Sequence, residues 1–254
     1  MTAPDSTKSA PHVRGISVIV PAWNEESFLP RSLGSLRHSA LRLADLGSPV
    51  NCELVVADNG STDATAGLAR AYGARVVTMP ERGVARARNA GAQAADGDLL
   101  VFTDADYRVP LGFLPGLAAR FGEDAGLTAA GVRVVLEPAE IDPITRLCAH
   151  GALRLLTKVK HMSFGVLAVR AGWFTSVGGY PQDLYAYEDV ALLERLRVDV
   201  RAGRARWSQL DDITVHASPR GFHRGGMFST YALMAVSRSA RKDLTRCGYW
   251  YERP

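Results

Sequence analysis

Apolar residues fall along the chain in short runs separated by helical repeats, and polar clusters close most of the runs. Ile16-Ser17-Val18-Ile19-Val20 is a β-branched run stopped by Pro21, which predicts a buried strand. Asn24 can then cap a helix in which Leu29, Leu33, Leu36, Ala40 and Leu43 recur at helical spacing, and Gly47-Ser48-Pro49 breaks the chain after it. Leu54-Val55-Val56-Ala57 predicts a second strand ending on Asp58. Ser61, Thr62 or Asp63 caps a helix that stops at Gly73. A third strand over 75–79 and a helix of small residues over 85–95 follow. A fourth strand, Leu99-Leu100-Val101-Phe102, then leads into Thr103-Asp104-Ala105-Asp106.

Strands alternating with helices favour an α/β fold with a mostly parallel sheet and helices on both faces. In such sheets ligands bind outside the carboxyl ends of the strands, so Asn24-Glu25, Asp58-Asn59 and Asp104-Asp106 should face one crevice. Beyond Asp106 the pattern loosens. It predicts helices over 113–121, 144–159 and 188–200, strands over 132–136 and 166–170, and a turn at Gly178-Gly179. The expected organisation is a flexible tail over 1–14, a domain over 15–217 divided near Asp106, and a basic amphipathic segment over 218–254.

Composition narrows the picture only a little. Of 254 residues, 47% are hydrophobic and 22% charged, the ordinary soluble range. A formal charge of +4 with plentiful acidic residues does not point to nucleic acid, but leaves anionic small molecules or an anionic membrane surface as partners. Residues 1–14 lack the apolar centre of a secretory signal, and no apolar run approaches the roughly 18 residues of a membrane span. Cys52, Cys148 and Cys247 form no CxxC pair and read as free thiols of a reducing cytoplasm.

The candidate chemistry is carboxylate chemistry. Asp104 and Asp106, two apart on a loop, can reach a divalent cation and a ribose together, and Mg²⁺ or Mn²⁺ shares such oxygens with phosphates. The competing reading is a turn with two solvated carboxylates. Asp58 can accept from a base N–H or a ribose hydroxyl, or serve as an Asx turn with Asn59-Gly60. Arg82, Arg86 and Arg88 crowd one stretch, as nucleotide contacts or as an ordinary charged surface. Glu188-Asp189 opens a helix, where the dipole favours acids and where a carboxylate can also take a proton from a hydroxyl. His216, after the expected apolar strand Ile213-Thr214-Val215, is either a structural histidine or a third metal ligand. No glycine-rich phosphate loop of either common type is present.

Five segments in order resemble glycosyltransferase family 2, which has the GT-A fold. They are the run from Ser17 to Glu26; Val55-Val56-Ala57-Asp58-Asn59-Gly60-Ser61-Thr62-Asp63; Arg82-Gly83 with Ala87-Arg88-Asn89-Ala90-Gly91; Leu100-Val101-Phe102-Thr103-Asp104-Ala105-Asp106; and Val177-Gly178-Gly179-Tyr180 with Tyr187-Glu188-Asp189-Val190. The resemblance implies that Pro21, Ala22, Asn24, Glu25 and Asp58 line a nucleotide base and ribose, with Arg88 near the base or diphosphate. It implies that Asp104 touches the ribose or the metal, that Asp106 holds the metal on the diphosphate, and that His216 is a further metal ligand. Asp189 would be the general base for the acceptor hydroxyl, with Glu188 supporting the acceptor site. The segment 163–170 lacks the Asn common at the family's acceptor strand, and 219–226 lacks the Q-x-x-R-W motif of its membrane-embedded synthases.

The expected function is transfer of a sugar from a UDP- or GDP-sugar to a hydroxyl acceptor, with Mn²⁺ or Mg²⁺ as cofactor and inversion at the anomeric carbon. Two alternatives stand beside it: a retaining GT-A transferase of the glucosylglycerate-synthase type, and a sugar-nucleotide pyrophosphorylase. The Gly-rich N-terminal loop of the pyrophosphorylases, with its following Lys, does not occur here. In 218–254, Arg220, His223, Arg224, Arg238, Arg241, Lys242 and Arg246 alternate with apolar and aromatic residues, including Tyr249, Trp250 and Tyr251. The segment from Pro219 on is expected to form the acceptor-side edge of the site, and its pattern fits peripheral contact with the inner face of a membrane and a lipid-linked acceptor, a helix packed back on the domain, or a homodimer contact.

Overall fold

The computed structural model describes residues 13–137, 165–220 and Lys242. The expected helix over 144–159, the tail over 1–12, Cys148, Cys247 and most of the basic C-terminal segment lie outside the described residues.

Eight strands form one sheet in the order β3-β2-β1-β4-β7-β6-β8-β5. The first four are β1 (Gly15–Ala22), β2 (Asn51–Asp58), β3 (Arg75–Thr78) and β4 (Leu99–Phe102), all parallel, as expected. The remaining strands are β5 (Tyr107–Arg108), β6 (Ala129–Leu136), β7 (Leu167–Arg170) and β8 (Trp207–Ala217). β7 runs antiparallel between β4 and β6, β8 lies parallel to β6, and β5 closes the edge antiparallel to β8. The sheet therefore runs unbroken across the boundary expected near Asp106.

Alternation along the strands sends successive side chains to opposite faces. Val18 and Val20 face one core with α1 (Leu29–Asp45), α2 (Thr65–Ala71) and α4 (Phe113–Glu123), whose Leu33, Leu36, Phe113 and Leu117 are fully buried. Ile19, Val55 and Phe102 face a second core with α3 (Val84–Gln93), α5 (Ala171–Ser176) and α6 (Glu188–Arg201). Among the described residues no helix is long and apolar enough to cross a membrane. Cys52 is half-buried, and burial pushes its thiol up to about 12, so it stays protonated at neutral pH.

Two expected helix starts differ in detail. α1 begins at Leu29, after Phe28, with no side-chain cap, because Asn24 is committed elsewhere, to the loop after β2. α2 begins at Thr65, two residues beyond the last expected cap, although Asp63 still accepts the Thr65 N–H at 3.0 Å.

α3 lies close on β1 and β2 because its buried face is Ala85, Ala87 and Gly91. A Cβ at Gly91 would sit 2.5 Å from Ile19 Cγ2, in the middle of the sheet. Alanine gains about 1 kcal/mol of helix propensity over glycine, whereas overpacking a rigid core costs about 1–3 kcal/mol. Gly91→Ala is therefore expected to be net destabilising despite the better helix former. Urea unfolding checks this, and a raised midpoint would contradict the close packing.

Candidate active site

The carboxyl ends of β1 and β2 lie side by side, with Pro21 opposite Ala57 and Ala22 opposite Asp58. The loops that follow are tied together. Asn24, at φ 51°, accepts the Thr62 N–H at 2.9 Å through its side chain, while its own N–H reaches Ser61 Oγ at 3.0 Å. The Glu25 N–H donates to Thr65 Oγ1 at 2.7 Å. Buried Asp58 accepts the N–H of Ser61, three residues on, at 3.0 Å, so one oxygen caps the turn after β2. Arg82 lies over the Trp23 ring at 4.3 Å, at the mouth of the same loops.

β4 ends one residue before Thr103 and delivers Asp104 and Asp106 to this edge. Asp106 meets a residue from far along the chain: Arg220 Nε donates to its Oδ2 at 2.7 Å. The two terminal nitrogens of Arg220 donate to the two Glu25 oxygens at 2.7 Å each, and its guanidinium lies 4.4 Å from the Phe28 ring. Burial pushes the Asp106 carboxyl up to about 6, with Arg220 pulling it back down. His216 pairs across the sheet with Arg108. Its charged neighbours are Arg108, Glu137 and Arg31, and burial with Arg108 lowers its pKa, so it is neutral. Its Nδ1 is enclosed with no hydrogen-bond partner among the described residues.

α6 begins at Glu188, after Tyr187 in a left-handed conformation at φ 63°. Glu188 is buried and ion-paired to Arg88. The other arm of Arg88 donates to Asp104 Oδ1 at 2.9 Å, and its guanidinium lies 5.4 Å from the Tyr180 ring. Burial raises both the Glu188 and the Asp189 carboxyls, and Arg88 opposes the rise. Asp189 Oδ1 accepts the Val190 N–H at 2.7 Å, as an acid in a first helical turn should. Asp189 also lines a small apolar cleft with Phe102, Val166, Leu167, Tyr180 and Leu193.

Two glycines make this closeness possible. Gly165, at φ 69°, stands where a Cβ would meet the Tyr107 hydroxyl and come within 2.7 Å of Asp104 Oδ2. Gly179, at φ 67°, stands where a Cβ would lie 2.6 Å from Asn89 Oδ1. That oxygen accepts the Tyr180 N–H at 2.9 Å while Asn89 Nδ2 donates to the Tyr180 carbonyl at 2.8 Å.

The structure thus gathers Glu25, Asp104 and Asp106, and Arg88 with Glu188, while His216 sits among the Arg31–Glu137–Arg108 ion pairs. Arg88 turns both arms to carboxylates. Reasoning from sequence placed Arg220 in a segment edging the acceptor side of the site but missed its bonds to Asp106 and Glu25, and it missed Tyr180 as the ring beneath Arg88. No local pattern marks Arg220, since its partners lie 114 and 195 residues away.

Comparisons with known proteins bear on the family and the fold. An uncharacterised glycosyltransferase of Mycobacterium tuberculosis is 34% identical over 120 residues, 47% of this chain and 50% of that one. Glucosyl-3-phosphoglycerate synthase of the same organism is 32% identical over 173 residues, 63% of this chain and 50% of that one. The chain thus spans about half the length of these curated relatives. A crystal structure of that synthase in complex with Mn²⁺, UDP-glucose and phosphoglyceric acid superposes with a TM-score of 0.60 at 28% identity, covering 92% of this chain and 80% of that one. Staphylococcus aureus TarS in complex with UDP, at 20% identity and a TM-score of 0.63, covers 82% of this chain and 62% of that one and shares the fold. The sequence profile described as Glycosyl transferase family 2 matches residues 17–171. More than half of the chain carries that match, on a sheet whose loop carboxylates meet in one crevice, and the chain belongs to glycosyl transferase family 2.

Proposed function

We propose that the protein transfers a sugar from a nucleoside-diphosphate sugar to a hydroxyl acceptor, with a divalent cation on the donor. The observation that carries this reading is the convergence, through one arginine, of Asp104 at the end of β4 and the Glu188-Asp189 pair at the start of α6. Strand-end carboxylates on one side suit a donor, and an enclosed carboxylate pair on the other suits an acceptor hydroxyl.

The residues fit a cation in part. Asp104 and Asp106 are oxygen donors of the kind Mg²⁺ and Mn²⁺ take. A cationic group, Arg220, already rests on Asp106, so this position is built to receive positive charge. His216 is neutral, as a ligand must be, and its Nδ1 has no hydrogen-bond partner among the described residues. Among the described residues no three His, Cys, Asp or Glu side chains are gathered closely enough to hold a metal by themselves, so diphosphate oxygens would complete the shell. A bound cation would neutralise charge on the departing diphosphate.

The chain's own residues account for the rest. The tied loops at Asn24 and Asp58 hold the floor for a base and ribose beside Pro21, Ala22 and Glu25. Asp189, raised by burial, is poised to take the acceptor proton, and Glu188 is ion-paired to Arg88. The likeness to glucosyl-3-phosphoglycerate synthase favours a second reading, the same donor with retained configuration and no base at Asp189.

Thermal unfolding with UDP-, GDP- and dTDP-sugars, with and without Mn²⁺, tests the donor. A ligand that binds only the folded state at a hundred times its Kd adds about 2.7 kcal/mol, a rise of several degrees in Tm. A rise with one nucleotide class, dependent on Mn²⁺, is expected. No rise with any of them would overturn the reading.

A further inference from the structure

Arg88 is only 6% exposed, on a helix whose other buried residues are Ala85, Ala87, Asn89 and Gly91. Burying a guanidinium costs several kcal/mol unless carboxylates and hydrogen bonds compensate. Here two carboxylates do so, from opposite sides of the crevice: Asp104, 16 residues away, and Glu188, 100 residues away. The Nε–H has no hydrogen-bond partner among the described residues, so the group is anchored by its two ends alone. Asp104 lies under the backbone of Gly165, and Tyr180, against which Arg88 rests, is clasped at both its N–H and its carbonyl by Asn89.

A rigid fork shared by two carboxylates makes their contacts interdependent, because closer engagement of one draws the guanidinium from the other. We propose that Arg88 is a positioning residue that couples the donor side of the crevice to the acceptor side. Engagement of Asp104 by the donor or its cation moves Arg88 towards Glu188 and fixes the start of α6, where Asp189 stands. Reciprocity follows from linkage: loss of the Glu188 charge lets Arg88 close on Asp104 and weakens donor binding. The inference rests on the reading of Asp104 as donor-side and of Glu188-Asp189 as acceptor-side.

A double-mutant cycle on the full chain tests it, with UDP and Mn²⁺ as the probe, or the nucleoside diphosphate selected by the thermal screen. Calorimetry gives the affinity of the parent, Glu188→Gln, Arg88→Met and the double variant. Glu188→Gln is expected to weaken nucleotide binding about fivefold in the parent and to leave it nearly unchanged when Arg88 is Met, a coupling typical of residues in one network. Arg88→Lys, a point charge unable to span both carboxylates, should show an intermediate coupling. It carries the test if melting curves show that Arg88→Met does not fold. A purely structural Arg88 predicts the same Glu188→Gln factor in every background, or none in any, and either result overturns the coupling. Absence of Mn²⁺-dependent binding of every nucleotide by the parent overturns the donor reading itself. Normal parental binding with additive effects overturns only the role of Arg88.

Discussion

Asp106→Asn is expected to abolish Mn²⁺-dependent binding of the donor and to lower turnover by about two orders of magnitude or more, as loss of several kcal/mol of charge stabilisation implies. The fold should survive. Arg220 keeps its two bonds to Glu25, so no buried cation is stranded, and asparagine retains an oxygen for Arg220 Nε. Asparagine cannot supply the negative charge that a cation requires. Calorimetry with Mn²⁺ and the nucleotide-sugar gives the affinity, and far-ultraviolet circular dichroism reports the fold. Equal affinity in variant and parent would remove Asp106 from the metal.

The second large effect belongs to Asp189. Asp189→Asn should cut turnover by about a hundredfold or more, the usual cost of losing a general base, with donor affinity unchanged. Asparagine Oδ1 can still accept the Val190 N–H, so the helix start is kept. The pH profile sharpens the test. Burial raises the Asp189 carboxyl, and a base acts only when ionised, so activity should climb with pH on a limb displaced above the ordinary carboxylate range. That limb should disappear in the variant. NMR of the product's anomeric centre decides between the two readings, since retained configuration is incompatible with direct displacement assisted by Asp189.

The first half of the fold was legible because its strands are continuous apolar runs, each closed by a turn residue, with helices of clear period between them. β1, β2 and β4 emerge within a residue or two of their expected bounds, widening to three at the start of β2. Two elements were not legible. β5 has two residues, and α5 has six, too few for a period to show. β8 was read as the three residues 213–215 but extends over Trp207–Ala217, because exposed Asp211 and Asp212 interrupt its apolar pattern where its register on β6 shifts. In the site, the carboxylates could be picked out because they end strands or open a helix. Their cationic partners could not. Arg88 looks like any charge on a helix, and only the smallness of its neighbours, Ala85, Ala87 and Gly91, hints that this face is turned inward. Arg220 belongs to a basic segment whose composition suggested a surface, whereas of the two carboxylates it serves Glu25 is buried and Asp106 half-buried.

The Arg220 bridge also gives the crevice a history on the ribosome. Glu25 and Arg220 are separated by 195 residues. At translation rates of about 5–20 residues per second, the arginine leaves the ribosome roughly 10–40 s after its partner. During that interval β1, β2 and β4 can pair with one another, but Glu25 and Asp106 still lack the guanidinium that joins them in the finished protein. The two carboxylates of the nascent crevice thus wait for their shared cation until the last strand of the sheet has been made.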